Sequence, residues 1–346
     1  PAIKDTVVVG KDEKQNEVLW GDILVTGSSE TPADAGMSSV VLFTPQEKMY
    51  LNSFCFGFRL NDMNEVLPSY IGHLLRSTSI RAAISKTAFG VTRFNVNRMR
   101  FADIEIPLPP LNIQKEIVSI LDSFTSLIDK MKQEVEMRKK QMEYYREKLM
   151  APQKNWEIKT LGEIGTFTRG NGLQKSDFRD KGFPCVHYGQ IHTYYNTCIY
   201  KTKSFCEEDF AKKLQKASYG DLLIATTSED VKACCKAAVW FGAGDVAYSG
   251  DSFCYSHDQD PKYMAYLFQT EMFAKQKQKA ATGAKVIRVS GESMASFSFA
   301  IPPLVQQRQI ASILDTFETY ISKLEKMIEL RQKQYEYYRE KLLTFE

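Results

Sequence analysis

Apolar residues recur at Ile117, Leu121, Phe124, Ile128, Met131, Val135, Met142, Tyr145 and Leu149, and again at Ile310, Leu314, Phe317, Ile321, Leu324, Ile328, Tyr335, Tyr338 and Leu342. The steps alternate between four and three, the mark of a heptad seam on a helix. Each seam is broken once, by Arg138 and by Arg331 at the same heptad site. Pro109-Pro110 and Pro302-Pro303 stand just upstream, and no Pro or Gly interrupts either stretch. Proline is excluded from a helix interior, so it marks where each helix can begin. Helices of roughly 38 residues would run about 57 Å. Stripes of that length need a partner, so the pattern predicts that the two helices bury their seams against each other as an antiparallel coiled coil. The chain crosses a whole domain between them. The expected result places two variable domains at opposite ends of the pair, related by a pseudo-twofold axis.

The two helices are copies. At an offset of 193 positions, residues 110–149 match 303–342 without a gap, and 22 of the 40 pairs are identical. Both copies close on "EYYREKL", Glu143 to Leu149 and Glu336 to Leu342. Weaker echoes lie upstream, such as "GDILVTGSSET" from Gly21 and "GDLLIATTSED" from Gly220. The variable parts carry short β-branched or aromatic runs punctuated by Gly and Asp, together with helical stretches opening at Pro68 and Pro261. The expected class is α+β: two repeated mixed domains, 1–109 and 151–302, each followed by a long helix, 110–150 and 303–346.

Composition adds limits. The chain has 346 residues, a formal charge of +3 and 43% hydrophobic residues, as in ordinary globular proteins. No apolar run approaches the ~18 residues of a membrane span. Seven Cys without a CxxC pair and no secretory signal suit a reduced, cytoplasmic protein.

Motifs for catalysis fail one by one. A base N-methyltransferase needs an Asp or Asn before its Pro-Pro-aromatic turn, but here Leu108 and Ile301 precede the prolines. "FGAGD" from Phe241 resembles a Gly-rich S-adenosylmethionine loop, yet the residues after it do not read as a helix. Asp221 with Asp230-Val231-Lys232 has the spacing of a nuclease metal site, but the first copy has Glu30-Thr31-Pro32 and no Lys. Cys185, His187, His192 and Cys198 fit no zinc spacing. The expectation is a non-catalytic chain with no metal.

A basic stretch free of Asp and Glu does recur before each Pro-Pro. The first holds Arg76, Arg81, Lys86, Arg93, Arg98 and Arg100; the second holds Lys275, Lys277, Lys279, Lys285 and Arg288. Recurrence favours phosphate contact over an ordinary solvated surface. The run "CVHYGQIHTYYN" supplies Gln190, His192 and Asn196, side chains able to reach base edges.

The whole arrangement resembles the specificity subunit of type I restriction-modification systems. The resemblance rests on the doubled Gln114/Gln307, Ile117/Ile310, Leu121/Leu314, Asp122/Asp315 and Phe124/Phe317, on the closing "EYYREKL", and on "WEIKTLGEIGTFTRGNGL" from Trp156, which looks like the opening of a target-recognition domain. It implies that each variable domain reads half of a bipartite double-stranded DNA site, with Arg169 and Lys175 joining the contact candidates. It implies that the helices set the gap and dock two methyltransferase subunits. Those subunits would bring S-adenosylmethionine, and Mg and ATP would come with motor-nuclease subunits. One departure stands out. The second copy spends 64 residues between Trp156 and Gly220, whereas only 20 precede Gly21, so the first domain is expected to lack about 44 residues of opening strands. Two rivals stay open: a duplicated protein-binding scaffold that never touches DNA, and a site-specific nuclease.

Overall fold

The computed structural model describes residues 15–345. The fold is mixed α/β, and its two longest elements are helices Leu111–Leu149 and Leu304–Leu343. The chain forms two compact units that do not follow its order. Among the described residues, one comprises 15–134 and 324–345, the other 135–323. Each long helix therefore gives its first half to one unit and its second half to the other.

In the first unit, strand Ile23–Thr26 is central, flanked antiparallel by Ser38–Val40 and Cys55–Phe58. Helices Pro68–Leu74 and Thr78–Ser85 cover it. Ile23, Val25, Tyr70, Ile71, Leu74, Ile80 and Ile84 make a core with Ile117, Leu121 and Ile128 of one long helix and Tyr335 and Leu343 of the other. In the second unit, strand Leu222–Ala225 is flanked by Lys236–Trp240 and Ser252–His257, the same order of neighbours. Two further strands, Cys198–Ile199 and Gly165–Arg169, extend that sheet to five. Both come from the stretch between Trp156 and Gly220 that has no match before Gly21. With a longer sheet and a second four-stranded sheet beside it, all four residues of Leu222–Ala225 are buried. Such a strand reads as a continuous apolar run, not an alternating one.

Within each unit the two helix halves meet along the anticipated seam. Ile117, Leu121, Ile128, Ile310, Leu314 and Ile321 are buried. Phe124 stacks on Tyr338 in the first unit, and Tyr145 on Phe317 in the second, each at 5.5 Å between ring centres. One index rises by 21 as the other falls by 21, so the helices run antiparallel. The two seam breaks are alike as well. Arg138 and Arg331 each turn a guanidinium N–H to a Gln on the next turn, Gln141 and Gln334.

These contacts account for the repeated heptapeptide. Its second Tyr, Tyr145 or Tyr338, stacks in the seam. Its Arg, Arg146 or Arg339, pairs with the following Glu. That Glu in turn accepts the first backbone N–H of a covering helix: Glu147 from Glu271, and Glu340 from Thr78. A carboxylate there meets the positive end of the helix and an amide without an intrahelical partner.

A second duplicated device fixes each covering helix to its long helix. Gln114 and Gln307 are fully buried. Gln307 accepts from the Asp260 N–H at 2.9 Å and donates to the Pro302 carbonyl and Gln259 Oε1. Gln114 accepts from the Leu67 N–H and donates to the Glu65 and Pro109 carbonyls. Gln307→Leu orphans three polar groups, each costing about 1–3 kcal/mol where water cannot enter. The expected loss of unfolding free energy is therefore about 3–5 kcal/mol, the lower part of that sum, checked by urea denaturation of the purified chain. A loss under ~1 kcal/mol would mean that water replaces the amide.

Candidate nucleic-acid interface

In the second unit the sequence candidates converge on one end of the five-stranded sheet. Register puts Arg169 opposite Phe253, and Ala225 opposite both Ser252 and Lys236. Four segments close over that end. Thr227–Ser228 pairs with Ile287–Arg288. The Thr227 hydroxyl donates to Asp251, its carbonyl takes His192 Nε2 at 2.9 Å, and Arg169 Nε donates to the Gly250 carbonyl. Helix Tyr188–Thr193 completes the set, held by Ser249 Oγ on the Tyr188 N–H. Beside this end runs an open groove lined by Arg169, Lys175, His187, Tyr188 and residues Ser249, Gly250 and Asp251. Arg169, Lys175, Lys285 and Arg288 are exposed, as is Asn196. Four exposed cations thus stand on segments that meet at this end, with Asp251 the one carboxylate among the groove residues.

The hairpin carrying Lys285 and Arg288 turns at Gly283, φ +100°; its counterpart in the first unit turns at Gly90, φ +129°. A Cβ on either would lie 1.9–2.1 Å from a backbone carbonyl oxygen, Arg93 O or Val286 O, so only glycine fits. Around the first hairpin stand exposed Arg93, its guanidinium 4.7 Å over the Phe54 ring, and exposed Lys86. Arg98 lies over Phe56 at 5.2 Å.

Several predicted contacts have other partners. Arg76 donates twice to the Ser38 carbonyl. Arg81 donates to the Ala33 and Ala35 carbonyls. Lys277, counted in the second basic stretch, is buried and donates to the Lys232 and Cys234 carbonyls. Gln190 uses both ends of its amide internally, accepting from the His187 N–H and donating to Ser204 Oγ. His192 is committed through Nε2, and burial pushes its pKa down, which favours the neutral ring. These five hold loops in place. Tyr188 and Tyr194 were not singled out individually by sequence. Tyr188 lines the groove, and Tyr194 is exposed with Lys203 Nζ 4.6 Å over its ring. Their signal was present in the aromatic density of "HYGQIHTYYN".

The nuclease-like trio is not assembled. Asp221 precedes strand Leu222–Ala225 and Asp230 follows it, at the opposite end. Each carboxylate caps a turn, Asp221 on the Ser218 N–H and Asp230 on the Lys232 N–H. Among the described residues no three His, Cys, Asp or Glu side chains are grouped to hold a metal. Nor is any described helix long and apolar enough to cross a membrane.

Residues 5–137 and 153–332 both match the description of the type I restriction modification DNA specificity domain. The chain belongs to the type I restriction-modification specificity family. A putative type I restriction enzyme specificity subunit of Haemophilus influenzae is 30% identical over 272 residues, which is 74% of this chain and 68% of that one. The EcoR124I/EcoR124II specificity subunit of Escherichia coli is 28% identical over 274 residues, 70% of this chain and 63% of that one. Against the second relative, then, the chain spans under two thirds of the length. The fold is shared with the crystal structure of a type I S subunit from M. genitalium, TM-score 0.57 at 16% identity, covering 96% of this chain and 85% of that one. The duplicated units and paired helices of a specificity subunit are thus in place. What this subunit touches is read from its own surface.

Proposed function

We propose that each unit of this specificity subunit reads one half of a bipartite double-stranded DNA site, and that the chain itself performs no chemistry. The observation that carries this is the set of exposed cations at one sheet end: Arg169 and Lys175 line the groove, and Lys285 and Arg288 stand on the hairpin that pairs with Thr227–Ser228. Arg93 and Lys86 flank the equivalent hairpin in the first unit. Phosphate contacts set register and affinity, while groove-facing side chains discriminate. Methyl transfer belongs to two partner methyltransferase subunits bearing S-adenosylmethionine. Motor-nuclease subunits that use Mg and ATP would join the same complex. A purely protein-binding scaffold would have no need of exposed cations at the same hairpin of both units.

The test is binding of a DNA duplex by the assembled complex across a salt series. Lys285→Ala with Arg288→Ala is expected to weaken binding to all sequences alike. The slope of log affinity against log salt should shallow by about 0.9 for each lost phosphate contact. If sequence preference changes and the slope does not, the pair reads bases. If the wild-type complex shows no affinity for DNA, the scaffold reading replaces this one.

A further inference from the structure

Two buried or half-buried cations do the same job in the two units from different places. In the first unit Arg81 donates to the carbonyls of Ala33 and Ala35 at 2.8 and 2.9 Å. In the second, Lys277 donates to the carbonyls of Lys232 and Cys234, both at 2.8 Å. Counting from Gly21 and Gly220, Ala33 matches Lys232 and Ala35 matches Cys234, so the same two carbonyls are held. Counting from Pro68 and Pro261, however, Lys277 matches Ile84, one helical turn beyond Arg81.

The turn being held is also the same. It ends on a left-handed residue, Gly36 at φ +74° and Cys235 at φ +63°, the latter the sole non-glycine positive φ among the described residues. A Cβ on Gly36 would come 2.3 Å from Ile84 Cγ2. With Lys277 in place of Ile84, the second unit seats a Cys there. Helix and loop have thus traded side chains between the copies, while the backbone of the turn and its two captured carbonyls persist. Burying an ammonium carries a desolvation cost unless hydrogen bonds compensate, so what both copies retain is the position of the loop.

That loop leaves directly from the candidate interface. Residues 229–233 follow Thr227–Ser228, the short strand that pairs with Ile287–Arg288 and whose Thr227 carbonyl anchors His192. Glu229, Asp230, Lys232 and Ala233 are exposed on its crown, while Cys234 and Cys235 are buried at its stem. The first unit repeats this, with residues 30–34 exposed and Ala35 and Gly36 buried.

We infer that the loops at 30–34 and 229–233 are DNA-reading loops, one per half-site, and that Arg81 and Lys277 are positioning residues that preset them. The inference rests on the DNA-reading role proposed above and deepens it. A preset loop adds discrimination because base-edge contacts need fixed geometry, whereas a mobile loop would supply only charge.

The experiment uses the complete complex with its methyltransferase subunits and selects bound duplexes from a randomised double-stranded library. Lys277→Met is expected to lower base preference about tenfold at one or two positions of one half-site only. Lys277→Arg should restore it, and Arg81→Met should relax the other half-site instead. The salt slope should be unchanged, because no phosphate contact is lost. Lys232→Ala, on the exposed crown, removes no buried group; it should alter the same half-site as Lys277→Met even where that variant folds poorly. If Lys232→Ala and a folded Lys277→Met both select the wild-type site with wild-type stringency, the inference is overturned. A wild-type complex that selects no bipartite site overturns the underlying DNA-reading proposal as well.

Discussion

Lengthening both long helices by four residues at facing points is expected to widen the gap between half-sites while leaving the half-sites themselves unchanged. The facing points follow from the seam. Phe124 opposite Tyr338 places the bond after Lys132 against the bond after Glu329, both in the first unit. Four residues add about 6 Å of helix, and duplex DNA rises about 3.4 Å per base pair. The gap should therefore grow by one or two base pairs. An insert of four is a stutter, which the pair absorbs by local unwinding and without breaking. Matching inserts keep Phe124 on Tyr338 and Tyr145 on Phe317. Both helices run through both units. The measurement is the set of methylated sites across the genome of a host carrying the altered gene. A variant that folds, methylates and keeps the original gap would show that the helices do not set the spacing.

The helices and their pairing were legible because a heptad seam is a local pattern, and its duplication at a fixed offset removed coincidence. The doubled Gln114 and Gln307 were visible as a motif, but their task was not. Their partners, the Leu67 and Asp260 amides, lie 47 residues away in both cases. The same limit applies within the basic stretches. Sequence shows that Arg76, Arg81 and Lys277 are cations, not that carbonyls of Ser38, Ala33, Ala35, Lys232 and Cys234 wait for them across the fold. Gln190 shows a subtler version. The run around it read as a source of base-reading side chains. Instead His187 and Gln190 form a reciprocal cap that starts a short helix, Tyr188–Thr193, which commits the amide that was expected to face DNA. The hairpin that carries Lys285 and Arg288 was easier to see, because a glycine at a left-handed turn signals the turn locally.

Replacing Ile120 and Ile313 together by Asp is expected to strip both methyltransferase subunits from the complex. The long helices carry a second apolar stripe outside the seam. Ile120 and Ile313 are 41% and 44% exposed, and Tyr144 and Tyr337 are 60% and 61% exposed. Both pairs are identical in the two copies. Leu127 with Tyr320, and Met137 with Leu330, add two more exposed pairs at equivalent positions. The first unit thus holds Ile120, Leu127, Leu330 and Tyr337, and the second holds Ile313, Tyr320, Met137 and Tyr144. Neither isoleucine belongs to a buried core cluster. Their duplication fits two copies of one partner with an apolar face, which is the stoichiometry proposed for the methyltransferase. Covering the exposed two fifths of such a side chain contributes about 1 kcal/mol, and an aspartate there adds a buried, unpaired charge that costs more. Each site should then weaken at least thirtyfold, the equivalent of about 2 kcal/mol. Light scattering on purified complexes reads the result as mass: two partner copies for wild type, one for either single variant and none for the double. Lys130→Asp, at an exposed position on the same helix, serves as the control and should retain both copies. A double variant that unfolds at the wild-type temperature yet still carries two methyltransferase subunits would place the docking surface elsewhere.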